Sequence, residues 1–159
     1  MDELLQLLKK DARHTPEVLA EMLNIPEAEI QERIKEYEAK GVIRGYQAVI
    51  NKDLLKLNKV RAAIEVKMQV GRRGGYDTTA EHIGNFPEVE SLFLMSGRYD
   101  LLVFVKGDTL QEVAGFVNER LATLDGVTST STHFTLKTYK DHGVLMQTEE
   151  KHERLPVSP

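Results

Sequence analysis

Val60-Arg61-Ala62-Ala63-Ile64-Glu65-Val66-Lys67-Met68-Gln69-Val70 decides the fold. Val60, Ala62, Ile64, Val66, Met68 and Val70 are apolar, and Arg61, Ala63, Glu65, Lys67 and Gln69 stand between them. Successive side chains of a strand point to opposite faces, so a period of two predicts a strand with one face in a core.

Towards the C-terminus, Gly71 to Gly75 ends this strand and a helix is expected from Asp77 to Asn85, then a strand over Val89 to Met95. A tight Ser96-Gly97-Arg98 turn leads into Leu101-Leu102-Val103-Phe104-Val105, whose unbroken apolar run predicts a strand covered on both faces. Leu110, Val113, Ala114, Val117, Leu121 and Leu124 trace a helical stripe that opens at an Asp108-Thr109 cap and stops at Asp125-Gly126. A last strand is expected from Val127 to about Tyr139. The order βαββαβ is that of a ferredoxin-like α+β domain, an antiparallel sheet with two helices on one face. Its other face needs cover, for which a second subunit is the natural source.

Towards the N-terminus the period lengthens. Leu4, Leu5 and Leu8 mark a helix beginning at Asp2 and ending near Asp11. Thr15-Pro16-Glu17 starts a second helix with a capping hydroxyl and a proline where no N–H is missed. Its expected buried face is Val18, Leu19, Met22 and Leu23. After a short Asn24-Ile25-Pro26 break, a third helix runs to Lys40 with Gly41 as its stop and Ile30, Ile34 and Tyr37 inward. Two helices on so short a turn predict a helix-turn-helix. Val42 to Ile50 is β-prone, as the wing or connecting strand of a winged domain would be, and Asn51 to Leu57 reads as a short helix or turn. The expected organisation is a winged helix-turn-helix over 1–50, a linker over 51–59, the ferredoxin-like domain over 60–140 and a tail over 141–159.

The 159 residues carry a net charge of −4, which argues against a generally basic nucleic-acid coat. Residues 46–59, with three lysines against one aspartate, are the net-positive stretch. There is no cysteine for a disulfide, a thiolate nucleophile or a Cys-based zinc site. His14, His82, His133, His142 and His152 have no metal-ligand spacing, and no nucleophile-elbow serine appears, so neither catalysis nor a cofactor or metal is expected. No apolar run reaches the roughly 20 residues that span a bilayer, and no basic segment precedes one at the N-terminus, so a cytoplasmic protein without membrane contact is expected. Gly71-Arg72-Arg73-Gly74-Gly75 has neither phosphate-loop nor dinucleotide spacing and reads as a mobile loop with two exposed arginines.

Three stretches carry a family resemblance: Leu19-Ala20-Glu21-Met22-Leu23-Asn24-Ile25, Glu38-Ala39-Lys40-Gly41-Val42-Ile43-Arg44-Gly45-Tyr46, and Ser96-Gly97-Arg98-Tyr99-Asp100-Leu101-Leu102. In this order and spacing the chain resembles the Lrp/AsnC transcription regulators over residues 2–140. The resemblance implies a RAM-type C-terminal domain that dimerises sheet to sheet, often assembles to octamers, and binds amino acids or related molecules near subunit interfaces. It also implies duplex DNA as a partner.

By the same resemblance the third helix enters the major groove. Glu27, Ala28, Gln31, Glu32 and Lys35 would then face DNA, with Arg33 and Arg44 nearby. Gln31 suits adenine, and Lys35 a phosphate or guanine. Five glutamates against three Lys/Arg over 26–40 oppose that contact, and an N-terminal domain that binds protein is the alternative. Gly97 permits close backbone approach, Arg98 can grip a carboxylate and Asp100 can pair with an amino group. The resemblance adds Tyr99 and the region Thr130, Ser131 and Thr132 to these effector contacts. Sirohaem decarboxylases share the architecture, but their His/Arg-rich hinge segment is not evident in Arg44 to Met68.

Overall fold

A computed structural model describes residues 2–55, 59–69 and 75–146. The chain divides into two compact units, Met1–Val49 and Ile50–Pro159.

The first unit holds α1 (Glu3–Lys10), α2 (Pro16–Leu23) and α3 (Glu27–Ala39). Each start has a local cause. Asp2 accepts from the Leu4 N–H at 3.3 Å, Thr15 accepts from the Val18 N–H at 3.4 Å, and Pro16 and Pro26 stand where a helix misses no donor. Asn24 ends α2 in the left-handed conformation, and Gly41, at φ +68°, follows the end of α3. Leu4, Leu8, Leu19 and Ile30 form the buried centre, with Leu7, Leu23, Ile34 and Tyr37 packed around it. The Tyr37 hydroxyl donates to Asp2, tying α3 to the start of α1.

Two expectations fail in this unit. Val18 and Met22 are exposed. They lie one residue, or about 100°, round the helix from the Leu19 and Leu23 stripe, and a two-turn helix touching few neighbours buries only one stripe. Residues 42–50 form no strand, and Val42, Tyr46, Val49 and Ile50 are exposed. A strand exists only when its N–H and C=O groups find a neighbouring ladder, and among the described residues none is paired with this segment.

The second unit begins with a 3-10 turn, Lys52–Leu55, and continues with β1 (Val60–Met68), α4 (Tyr76–Gly84), β2 (Val89–Leu94), β3 (Leu101–Gly107), α5 (Leu110–Phe116) and β4 (Val127–Phe134). The sheet order is β2-β3-β1-β4, with every neighbouring pair antiparallel. One face packs on the helices through Ala62, Ile64, Val66, Leu101, Val103 and Val105 against Ile83, Val113, Phe116, Val117 and Leu121. Thr109 caps α5 by accepting from the Glu112 N–H at 3.1 Å, while Glu112 accepts from the Asp108 N–H at 2.6 Å. A π turn, Val117–Leu121, extends α5. Val113, Phe116 and Val117 share one face at the ordinary helical spacing of three and four, and Ala114, at the edge of that stripe, is exposed. Leu110, at the helix's first position, is also exposed.

The apolar run of β3 is covered on one face only. Leu101, Val103 and Val105 are buried, whereas Leu102 and Phe104 are half-buried on the open face beside Phe93, whose ring meets that of Phe104 edge-on at 6.2 Å. A two-layer unit has no second helical layer to cover that side. β4 ends at Phe134, short of Tyr139, and residues 140–145 return as a small hairpin of β5 (Lys140–Asp141) and β6 (Val144–Leu145). The Asn51 side-chain amide donates to the Met146 carbonyl, joining this hairpin to the start of the unit. Val70, the Arg72 and Arg73 loop and the tail from 147 onward lie outside the described residues.

Candidate DNA-reading helix and effector loop

On α3, Ala28, Gln31, Glu32 and Lys35 are all exposed, at the spacing of one helical stripe. Arg33 points elsewhere: it is half-buried and donates to Glu29 at 2.5 Å. Arg44 is exposed and folds over the end of the helix, its Nη1 lying 3.3 Å from where a Gly41 Cβ would stand. The six residues thus form one stripe of four, one internally paired arginine and one arginine at the far helix end.

The acids of α3 are mostly engaged. Glu27 accepts from Gln31 at 2.7 Å, Glu29 holds Arg33, Glu36 pairs with Lys40, and Glu38 accepts from the Tyr46 hydroxyl at 3.0 Å. The Lys40 ammonium holds the Glu36 carboxyl below its usual range. Cationic partners for Glu29 and Glu36 offset part of the repulsion that five glutamates would present to phosphate. Glu27, also expected to face DNA, is exposed one turn before Gln31.

In the second unit, residues 95–100 form a loop wider than the expected three-residue turn. The Met95 N–H donates to the Asp100 carbonyl at 2.8 Å, and the Asp100 N–H to the Val66 carbonyl at 2.9 Å. Gly97 stands at φ +145°, which L side chains rarely adopt, with open space where a Cβ would be. Arg98 is exposed and Tyr99 half-buried. Asp100 is different. Its carboxylate accepts from the Met68 N–H at 2.7 Å and the Tyr76 hydroxyl at 3.3 Å, with Lys67 Nζ 3.4 Å away. These contacts, chiefly the Met68 N–H, hold its carboxyl below the usual aspartate range against the opposing effect of burial. Asp100 therefore ties the loop to β1 and α4.

A depressed folded-state pKa stabilises the fold fully above the unfolded value and is lost as pH falls through the folded one. Asp100→Asn is expected to lie below wild type in Tm by a steady margin above about pH 5, narrowing from about pH 4 downward. Thermal melts across pH 2–7 read this directly; a margin independent of pH would show that the carboxylate's charge contributes nothing.

Thr130 and Thr132 pair with Val66 and Ile64, on the helix-covered face, whereas Ser131 pairs with Glu65 on the open face, 3.3 Å from His133. The structure thus brings Asp100 and Thr130 to opposite sides of Val66 and sets Ser131 apart. A cleft of about 120 Å³ in this unit lies elsewhere, lined by Lys52, Lys59, Arg61, Lys137 and Asp141 among others. Arg61 in it is bound to Glu90 at 2.9 Å and faces Asp141 at 3.6 Å. Among the described residues no helix is long and apolar enough to cross a membrane and no group of three His, Cys, Asp or Glu is placed to hold a metal.

Residues 3–44 match the model of a winged helix-turn-helix DNA-binding domain, and residues 61–145 that of the Lrp/AsnC ligand-binding domain. The HTH-type transcriptional regulator YugG of Bacillus subtilis (strain 168), itself described as uncharacterized, is 42% identical over 99% of this chain and 95% of its own length. The crystal structure of the transcriptional regulator NMB0573/L-Met complex from Neisseria meningitidis superposes with a TM-score of 0.70 at 26% identity, covering 89% of this chain and 93% of that one. The leucine response regulatory protein LrpA of Mycobacterium tuberculosis shares the fold, with a TM-score of 0.76 at 21% identity over 92% of this chain and 100% of that one.

Proposed function

The chain belongs to the Lrp/AsnC family of transcriptional regulators, and from that premise we propose that an amino acid or closely related molecule, bound in its C-terminal unit, sets its grip on duplex DNA. The observation that carries this is the pairing, in one chain, of a helix-turn-helix whose α3 exposes Ala28, Gln31, Glu32 and Lys35 with a ligand-binding domain. That a related regulator was crystallised with L-Met supports an amino-acid effector.

In this reading α3 enters the major groove and Arg44 meets phosphate beside it. The effector's carboxylate is held by the exposed guanidinium of Arg98, and Gly97 lets the backbone come close. Asp100 and Tyr99 shape that loop, and Thr130, Ser131 and Thr132 on β4, across β1 from it, are the further effector contacts of this reading. With its carboxylate engaged by Met68 and Tyr76, Asp100 acts as the organiser of the loop. Phe93, Leu102 and Phe104 on the open sheet face support a second copy as its cover, so the chain works as a dimer or a higher assembly. Effector binding then favours one assembly geometry and changes the spacing of paired α3 helices. A DNA target places the protein in the cytoplasm. The domains serving these roles are 1–50, the linker 51–59, 60–140 and the tail 141–159.

The test is retention of sheared genomic DNA by the purified chain across a salt series, with and without each amino acid. Specific fragments are expected to be enriched at low salt, and one amino acid to change their recovery in wild type but not in Arg98→Ala. Absence of any enriched fragment in every condition would reject DNA reading and favour an N-terminal unit that binds protein.

A further inference from the structure

Glu27 and Gln31 lie one turn apart on α3, both exposed, with Gln31 Nε2 donating to Glu27 Oε1 at 2.7 Å. A carboxylate has no proton to give, so the Gln31 amide must turn its NH2 group, never its oxygen, towards Glu27. One N–H is used in this way. One N–H and the carbonyl oxygen remain.

We propose that Glu27 is a positioning residue for base recognition, holding the Gln31 amide in the orientation that reads adenine in the major groove. The inference rests on the DNA reading proposed for α3 and names its specificity at one position. Adenine presents one acceptor, N7, and one donor, the N6 amino group, which is the complement of what Gln31 has left. Guanine presents two acceptors there, and cytosine a donor, so the same amide satisfies each only in part. A glutamine without such a partner must be ordered at the moment of binding, which costs affinity for the right base. Glu29 and Glu36 are spent on Arg33 and Lys40, so they do not compete for the Gln31 amide.

Two effects of Glu27 separate cleanly. Its charge opposes phosphate whatever the sequence, and its oxygen orients Gln31. Glu27→Gln removes the charge and adds an NH2 beside the acceptor, so it no longer dictates which end of the Gln31 amide faces it; Glu27→Ala removes charge and partner together. The full-length wild type, Glu27→Ala, Glu27→Gln and Gln31→Ala are each used to select from a pool of random-sequence duplexes, with bound and unbound fractions sequenced and helical content checked by circular dichroism.

Wild type is expected to enrich one adenine in each half-site, and Glu27→Gln, whose amide can meet either end of Gln31, to enrich it less. Glu27→Ala should lose about two- to tenfold of that preference, the cost of fixing one flexible side chain. Gln31→Ala should abolish it. Both Glu27 variants should hold unrelated DNA more tightly than wild type, since one acid near phosphate is gone. An adenine that depends on Gln31 but survives Glu27→Ala undiminished overturns the positioning role and leaves DNA reading standing. A preferred sequence with no position that depends on Gln31 overturns it too. No enriched sequence with wild type removes the DNA reading itself, and this inference with it.

Discussion

Ile30→Ala is expected to unfold the N-terminal unit at room temperature and abolish DNA retention, while the melting of the C-terminal unit stays where it was. Ile30 is fully buried from α3 in a centre of only four buried residues among those described, with Leu4, Leu8 and Leu19. Truncating such a side chain costs about 2–5 kcal/mol, because the cavity closes only in part. A unit of this size holds at most about 3–5 kcal/mol in all, so the loss consumes most of its reserve. Circular dichroism should show the helical signal of α1 to α3 lost and one cooperative transition remaining. Ile30→Val, costing about 0.5–1.5 kcal/mol, should keep both the fold and the DNA contact. Ile30→Ala protein that still retains DNA as wild type does would show that the unit draws its stability from somewhere other than this centre.

The matching change in the larger unit should have a different outcome. Ile64, on β1, is fully buried between Val103 of β3 and Thr132 of β4. Ile64→Ala removes the same amount of buried surface, again about 2–5 kcal/mol, but from a cluster of twelve buried residues among those described. The unit is expected to remain folded, with its Tm lowered by roughly 8–40 °C, since about 1 kcal/mol moves the Tm of a domain of this size by 4–8 °C. Glu65→Ala, one residue away on the open face, should move it far less. Equal shifts from the two neighbours would contradict a sheet with a single core face.

That contrast marks where the period of two was a sufficient guide. Alternation along 60–68 named the buried face of β1 residue by residue, and the βαββαβ order followed from the same kind of pattern. The apolar run 101–105 did not behave that way. A run of large side chains is equally consistent with cover on one face or two, and Leu102 and Phe104 lie on the open one. Helix starts at Asp2, Thr15 and Thr109 were legible because a cap acts within three residues of itself.

The candidate sites divide in the same manner. The stripe Ala28, Gln31, Glu32 and Lys35 is a matter of helical spacing, and so is the hold of Glu27 on Gln31. Asp100 is not. Its partners, Met68 and Tyr76, stand 32 and 24 residues away in the chain, and only their approach turns an apparent amine-binding carboxylate into the anchor of its own loop.

The sequence by itself determined the two-unit plan, the order of elements and the outward face of α3, because each follows from periods and caps that act over a few residues. The tertiary structure alone decided that Val18 and Met22 stay exposed, that 42–50 forms no strand, that one sheet face stands open, and that Asp100 is already engaged. Each of these depends on which distant groups arrive beside a residue, and burial, ladder pairing and ionisation are all set by that arrival.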